Sequence, residues 1–130
     1  MKTFLSLLLL LSGLSSFAQK KTFLLVGTYT SGKSTGIYVY NFNSQSGAAS
    51  VVDSIKTSNP SYLAIAPNKQ FVYAVNEDAE QGVGGKVTAF SFNRQTGHLT
   101  PLNQQRSMGN HPCYITVDNT GKWVLVGNYS

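Results

Sequence analysis

Asn59-Pro60-Ser61-Tyr62-Leu63-Ala64-Ile65-Ala66-Pro67-Asn68-Lys69-Gln70-Phe71-Val72-Tyr73-Ala74-Val75-Asn76 returns later in the chain as His111-Pro112-Cys113-Tyr114-Ile115-Thr116-Val117-Asp118-Asn119-Thr120-Gly121-Lys122-Trp123-Val124-Leu125-Val126-Gly127-Asn128. The copies align without a gap, from position 59 to position 111, an offset of 52 residues. Each holds two short β-branched and aromatic runs joined by a polar turn, Pro67 to Gln70 in the first and Asn119 to Lys122 in the second. Outward from this pair, Val39 to Gly47 matches Ala89 to Gly97 at an offset of 50, and Phe23 to Tyr29 pairs with Phe71 to Glu77. Further strand signals stand at Phe23 to Val26 and Ile37 to Tyr40. After residue 21 no stretch keeps apolar residues at helical spacing for three turns.

A period near 50 residues built from four short strands marks a blade of a β-propeller. A single blade can bury its two faces only against neighbouring blades, so the sheets must ring an axis. The expected fold is all-β, with four-stranded antiparallel blades. The innermost strand is assigned to Tyr62 to Ala66 and Tyr114 to Val117, the second to Phe71 to Val75, the third to Val87 to Phe92 and the fourth to about Thr100 to Gln105. Residues 61–107 should thus form one complete blade. Residues 23 onward begin with a second strand, and the chain runs three strands, then four, then two. That makes about two and a quarter blades, too few for the usual ring of about four to eight. The expectation is the N-terminal part of a longer propeller, residues 19–130, with a first blade whose missing strand comes from elsewhere in the chain.

Residues 1–18 read differently. Met1-Lys2-Thr3 is a short basic start, Phe4 to Leu11 is apolar except for Ser6, and Ser16 and Ala18 place small residues at a cleavage site after Ala18. This is the pattern of a cleaved secretory signal, too short for a comfortable membrane span; a buried helix or retained anchor is the alternative. Gln19 comes directly after the cut, so no cysteine takes a lipid there. The mature protein is expected in the periplasm or outside the cell, without membrane attachment. Losing Lys2 takes the formal charge from +5 to +4. That surplus is scattered, with no basic stripe interleaved with aromatics, so nucleic acid is not expected as a partner. Cys113 is the only cysteine, which rules out an intrachain disulfide and a thiolate metal site within this chain. It reads as a small buried hydrophobe, with a reactive thiol as the sharper alternative.

Gly27-Thr28-Tyr29-Thr30-Ser31-Gly32-Lys33-Ser34 fits G-x-x-x-x-G-K-[ST], but a phosphate loop must open a helix. The next residues, Thr35 to Phe42, alternate with period two, so the segment reads as a hairpin loop. Gly82-Val83-Gly84-Gly85 is the corresponding flexible connection one blade on. Glu77, Asp78 and Glu80 open that loop as solvated carboxylates, or as ligands of a hard cation or acid/base groups. His98 reads as a polar turn residue. His111, just before the Pro that leads into an innermost strand, reads as a capping or hydrogen-bonding group, with acid/base chemistry as the alternative.

Several segments resemble the seven-bladed propeller lactonases related to 6-phosphogluconolactonase. They are Phe23 to Thr30, Gly36 to Tyr40 with the Gly47 turn, Asn59 to Pro67, Phe71 to Glu77, and Pro112-Cys113 with the later run Val124 to Tyr129. The resemblance covers residues 22–130 in order. The same blades are similar to those of non-enzymatic repeat propellers. The resemblance implies hydrolysis of a small-molecule sugar lactone; no cofactor is expected, and no residue is read as a metal ligand of the site. One position departs: Tyr114 stands where many members of the family carry His, and a phenol is a poor general base near neutral pH.

Lactone hydrolysis needs an activated water, a polarised carbonyl and a proton for the departing alkoxide. On the strand assignment, one mouth of the propeller collects these groups. Glu77 is the expected water-activating base and His111 a second acid/base group or carbonyl ligand. Tyr62, Asn76, Tyr114, Asn128 and Tyr129 are expected to bind substrate. A non-catalytic propeller that binds a glycan or a protein is the competing reading. Sugar phosphates are largely confined to the cytoplasm, so export makes an unphosphorylated lactone plausible.

Overall fold

A computed structural model describes residues 21–79 and 84–130. The expected signal segment, Glu80 and Gly82-Val83 lie outside the described residues. Among the described residues nine strands form three antiparallel sheets. The first holds β1 (Phe23–Gly27), β2 (Gly36–Phe42) and β3 (Ala49–Lys56); the second β4 (Leu63–Ile65), β5 (Phe71–Asn76), β6 (Lys86–Phe92) and β7 (Leu99–Arg106); the third β8 (Pro112–Val117) and β9 (Val124–Asn128). Strand order matches chain order in each sheet, as expected of blades built by successive hairpins. The complete blade is the one the repeat marked out. No helix occurs among the described residues, and Gly36 to Phe42 is strand, so the phosphate-loop lookalike is a hairpin connection.

The repeat is physical as well as textual. Both third-to-fourth-strand pairings carry a bulge at the same place, Val39/Tyr40 in the first blade and Ala89/Phe90 in the second. Both turns after these third strands close on an asparagine. Asn43 Oδ1 accepts from the backbone N–H groups of Gln45 and Ser46, and Asn93 Oδ1 from those of Gln95 and Thr96. These are the local bonds that make Asn favourable in turns. In the third blade Asp118 organises the turn between the first and second strands, accepting from the Lys122 and Trp123 N–H groups and from Thr120. The Thr120 hydroxyl, and then the backbone donors, pull its pKa down to about 2. This turn is therefore held at any pH above the ordinary carboxylate range and is released only as pH falls toward that value.

The core lies between blades one and two. Ile37, Val39, Val72, Ala74, Phe90 and Leu99 are buried there, and Phe23, Leu25, Ile55, Leu63 and Phe92 pack against them. Alternation along β2 and β5 sends these side chains to one face, the face a neighbouring blade must cover. Phe23 crosses Phe92 edge to face at 5.7 Å and also lies over Gly97. A Cβ at Gly97 would stand 2.6 Å from that ring, and the residue's φ of 84° suits glycine. His98, expected to be only a turn residue, joins the two blades: its Nδ1 is 3.3 Å from Asp53 Oδ2, which also accepts the Leu99 N–H at 2.9 Å. Between blades two and three, β8 packs against β4 and β5 with Ile115 buried, and Tyr73, Val87, Val124 and Val126 line an open groove of about 290 Å³.

Cys113 is exposed, contrary to the reading as a buried hydrophobe. The register of β8 on β9 shifts between Pro112 and Tyr114, and this bulge turns Cys113 out of the inward-facing alternation that buries Pro112 and Ile115.

Candidate active site

The antiparallel register puts three kinds of segment at one end of the blades: the ends of second strands, the starts of third strands and the entries to innermost strands. The repeat makes them comparable. Tyr29, Glu77 and Tyr129 occupy one equivalent position in three blades, Asn59 and His111 another, Ser61 and Cys113 a third, and Tyr62 and Tyr114 a fourth.

Glu77 is half-buried. Its Oε2 accepts from Tyr29 Oη at 2.8 Å and from Ser61 Oγ, while Oε1 accepts no hydrogen bond among the described residues. One oxygen is thus fixed by two hydroxyls and the other is left to a water or a substrate. The backbone is held as firmly, since the Glu77 N–H donates to the Asn59 carbonyl at 3.0 Å. Tyr29 has its phenol pKa raised above the usual value, chiefly by its hydrogen bond to Glu77, with burial and the Glu77 charge adding to it. It therefore remains a proton donor to the carboxylate. Neither Tyr29 nor Ser61 was among the expected site residues. Tyr29 was within reach, because the pairing of Phe23 to Tyr29 with Phe71 to Glu77 superposes it on the carboxylate. Ser61 left no sequence signal beyond its equivalence to Cys113.

Asn59 and His111 both lie in the left-handed backbone region, at φ 38° and 51°. Asn tolerates this conformation better than His does. Asn59 uses its amide fully: Oδ1 accepts from the Thr30 N–H and Oγ1, and Nδ2 donates to Asp78 Oδ1 at 2.7 Å. Asp78 Oδ1 also accepts from Ser58 Oγ, so this oxygen is committed to holding the loops together. His111 keeps only the backbone part of that pattern, with its N–H on the Asp78 carbonyl and its own carbonyl accepting from Tyr129 N–H. Its half-buried imidazole makes no hydrogen bond among the described residues.

Tyr62 and Tyr114 stand at the entries to adjacent innermost strands, and their rings pack together with centroids 5.1 Å apart and planes at 57°. They remain 43% and 49% exposed. Tyr129 is 84% exposed. Asn76 is not available. It is buried, its Nδ2 donates to Thr57 Oγ1 and the Ser58 carbonyl, and its Oδ1 accepts from Thr88 Oγ1 and Gln104 Nε2. This corrects the expectation that it faces substrate, because Oδ1 is spent on the third and fourth strands of its own blade and Nδ2 on the segment leaving the blade before. Asn128 repeats part of that tie, donating to the Ser107 carbonyl at 3.0 Å, but is itself exposed. Tyr62, Glu77, His111, Tyr114 and Tyr129 lie at the same end of their blades. Among the described residues no cluster of His, Cys, Asp and Glu is arranged to hold a metal ion.

Radial blades with a carboxylate, an imidazole and tyrosines at one end define a β-propeller with a polar mouth. The chain belongs to the lactonase family of seven-bladed β-propellers, whose model matches residues 23–130. A 6-phosphogluconolactonase of Formosa agariphila is 36% identical over 107 residues, covering 81% of this chain and 30% of that protein. A Bacteroides fragilis protein, provisionally assigned as a 6-phosphogluconolactonase, superposes with a TM-score of 0.80 at 41% identity, over 88% of this chain and 31% of its own. The periplasmic gluconolactonase of Pseudomonas aeruginosa superposes with a TM-score of 0.76 at 37% identity, over 85% and 31%. The chain therefore spans less than a third of the length of these relatives.

Proposed function

We propose that the protein built on these blades opens a sugar lactone to its acid by attack of water, with Glu77 as the general base. The observation that carries this reading is the Glu77 carboxylate itself, with Oε2 fixed by Tyr29 and Ser61 and Oε1 unengaged among the described residues. Oε1 takes a proton from water as its oxygen bonds to the ring carbonyl carbon. Collapse of the tetrahedral intermediate breaks the bond to the ring oxygen, which leaves as an alkoxide and takes up a proton. His111 is the group we assign to that proton or to the carbonyl oxygen, and Tyr62, Tyr114 and Tyr129 to the sugar ring. The relatives named as 6-phosphogluconolactonase and gluconolactonase support this reading.

We further propose that residues 1–18 direct export and that the substrate is an unphosphorylated lactone. The resemblance to a periplasmic gluconolactonase supports that location. The test is the initial rate of acid release from a gluconolactone by the full-length protein, measured by pH-stat and corrected for spontaneous opening. A rate no higher than the spontaneous one, for phosphorylated and unphosphorylated lactones alike, would overturn the assignment.

His111→Asn should reduce kcat by less than the loss of Glu77, under roughly 10²-fold, the lower edge of what an acid/base group supplies. The substitution installs the residue that stands at the equivalent position, Asn59, with a comparable positive φ. The fold should therefore keep its thermal midpoint, and a melt run beside the kinetics separates lost chemistry from lost structure.

A further inference from the structure

We infer that Tyr29, carried by the β1–β2 loop of the first blade, is the positioning residue for the Glu77 carboxylate of the second, an inference that rests on the lactonase reading above. The loop that looked like a phosphate loop acquires a role here. It leaves β1 at Gly27, where any Cβ would collide with the Pro60 carbonyl, so the chain can pass hard against the entry to β4. Thr28 Oγ1 then donates to the Gly36 carbonyl at 2.7 Å and bonds Ser34 Oγ, closing the base of the loop. Thr30 fastens to Asn59 through both its N–H and its hydroxyl, at 2.9 and 3.1 Å. Tyr29 is held between these two anchors, with its phenol 2.8 Å from Glu77 Oε2. Asn59 in turn accepts the Glu77 N–H and donates to Asp78, so one residue fixes both the tyrosine's loop and the carboxylate's.

This arrangement does what a pre-organised site requires. It places a charge-assisted hydrogen bond on the oxygen that does no chemistry and so aims the other. Tyr29 is 58% exposed, which makes its hydroxyl a poor contributor to folding and leaves its contact with Glu77 as the one polar use of that group among the described residues.

The experiment is a double-mutant cycle in the full-length protein with a gluconolactone as substrate. Tyr29→Phe should lower kcat by roughly 10- to 100-fold, the worth of a hydrogen bond to a charged group, and leave KM within about twofold, since the group acts only through the base. Added to Glu77→Gln, the same change should cost nothing further, because residues acting as a unit are not additive. Ser61→Ala, which removes the other donor, should behave in the same way. An unaltered kcat in Tyr29→Phe, or an equal further loss in the double variant, would overturn the positioning role while leaving Glu77 as base. Full activity in Glu77→Gln alone would remove the base assignment and the inference with it.

Discussion

Glu77→Gln in the full-length protein should slow the opening of a gluconolactone-type substrate by roughly 10²- to 10⁴-fold, the range associated with losing a general base. The substitution preserves shape and removes charge and basicity. Gln can still accept the hydrogen bonds that Tyr29 and Ser61 now give to Oε2, so the loop contacts survive and the fold with them. The other carboxylates of the described residues are engaged in structure. Asp53 accepts the Leu99 N–H and faces His98, Asp78 is shared by Ser58 and Asn59, and Asp118 is wrapped in its turn. The loss should fall on kcat, with KM little changed, because the base acts on water in the transition state. Initial rates by pH-stat read this directly, and a rate equal to that of the parent would remove Glu77 from the chemistry.

Backbone architecture was legible in the sequence because blade strands write themselves twice, once as alternation and again as the repeat. The boundaries of β5, β6 and β7 fall within one residue of those read from Phe71 to Val75, Val87 to Phe92 and Thr100 to Gln105. The innermost strand was harder. β8 begins at Pro112 and not at Tyr114, and the bulge there carries Cys113 outward, a shift of register that composition does not encode. The site was legible in part, for a related reason. Position along a strand says which end a residue occupies, so Glu77, His111 and the tyrosines could be placed at one mouth. It does not say which way a side chain points once the strand ends. Tyr29 reaches across from a neighbouring blade, and Asn76 turns inward to the gap between blades; both are facts of blade-to-blade packing with no counterpart in local pattern. His98 went unread for the same cause, since its partner Asp53 belongs to the preceding sheet.

Asn76→Leu should destabilise the full-length protein by about 2–4 kcal/mol while leaving KM for the lactone close to its parental value. Asn76 sits at the end of β5, and its amide joins three strands of its own blade to the end of the one before. Nδ2 donates to Thr57 Oγ1 at 2.9 Å and to the Ser58 carbonyl, and Oδ1 accepts from Thr88 Oγ1 at 2.6 Å and Gln104 Nε2 at 3.2 Å. Leucine keeps the volume and removes all four contacts. The Thr88 hydroxyl, which is buried, then loses the acceptor it donates to, and an orphaned buried donor costs more than the bond it replaces was worth. Chemical denaturation midpoints of the variant and its parent, read beside their KM values, decide the matter. Equal midpoints would show that the amide network of Asn76 contributes nothing to stability. A KM raised tenfold in Asn76→Leu, at unchanged stability, would return that residue to the substrate.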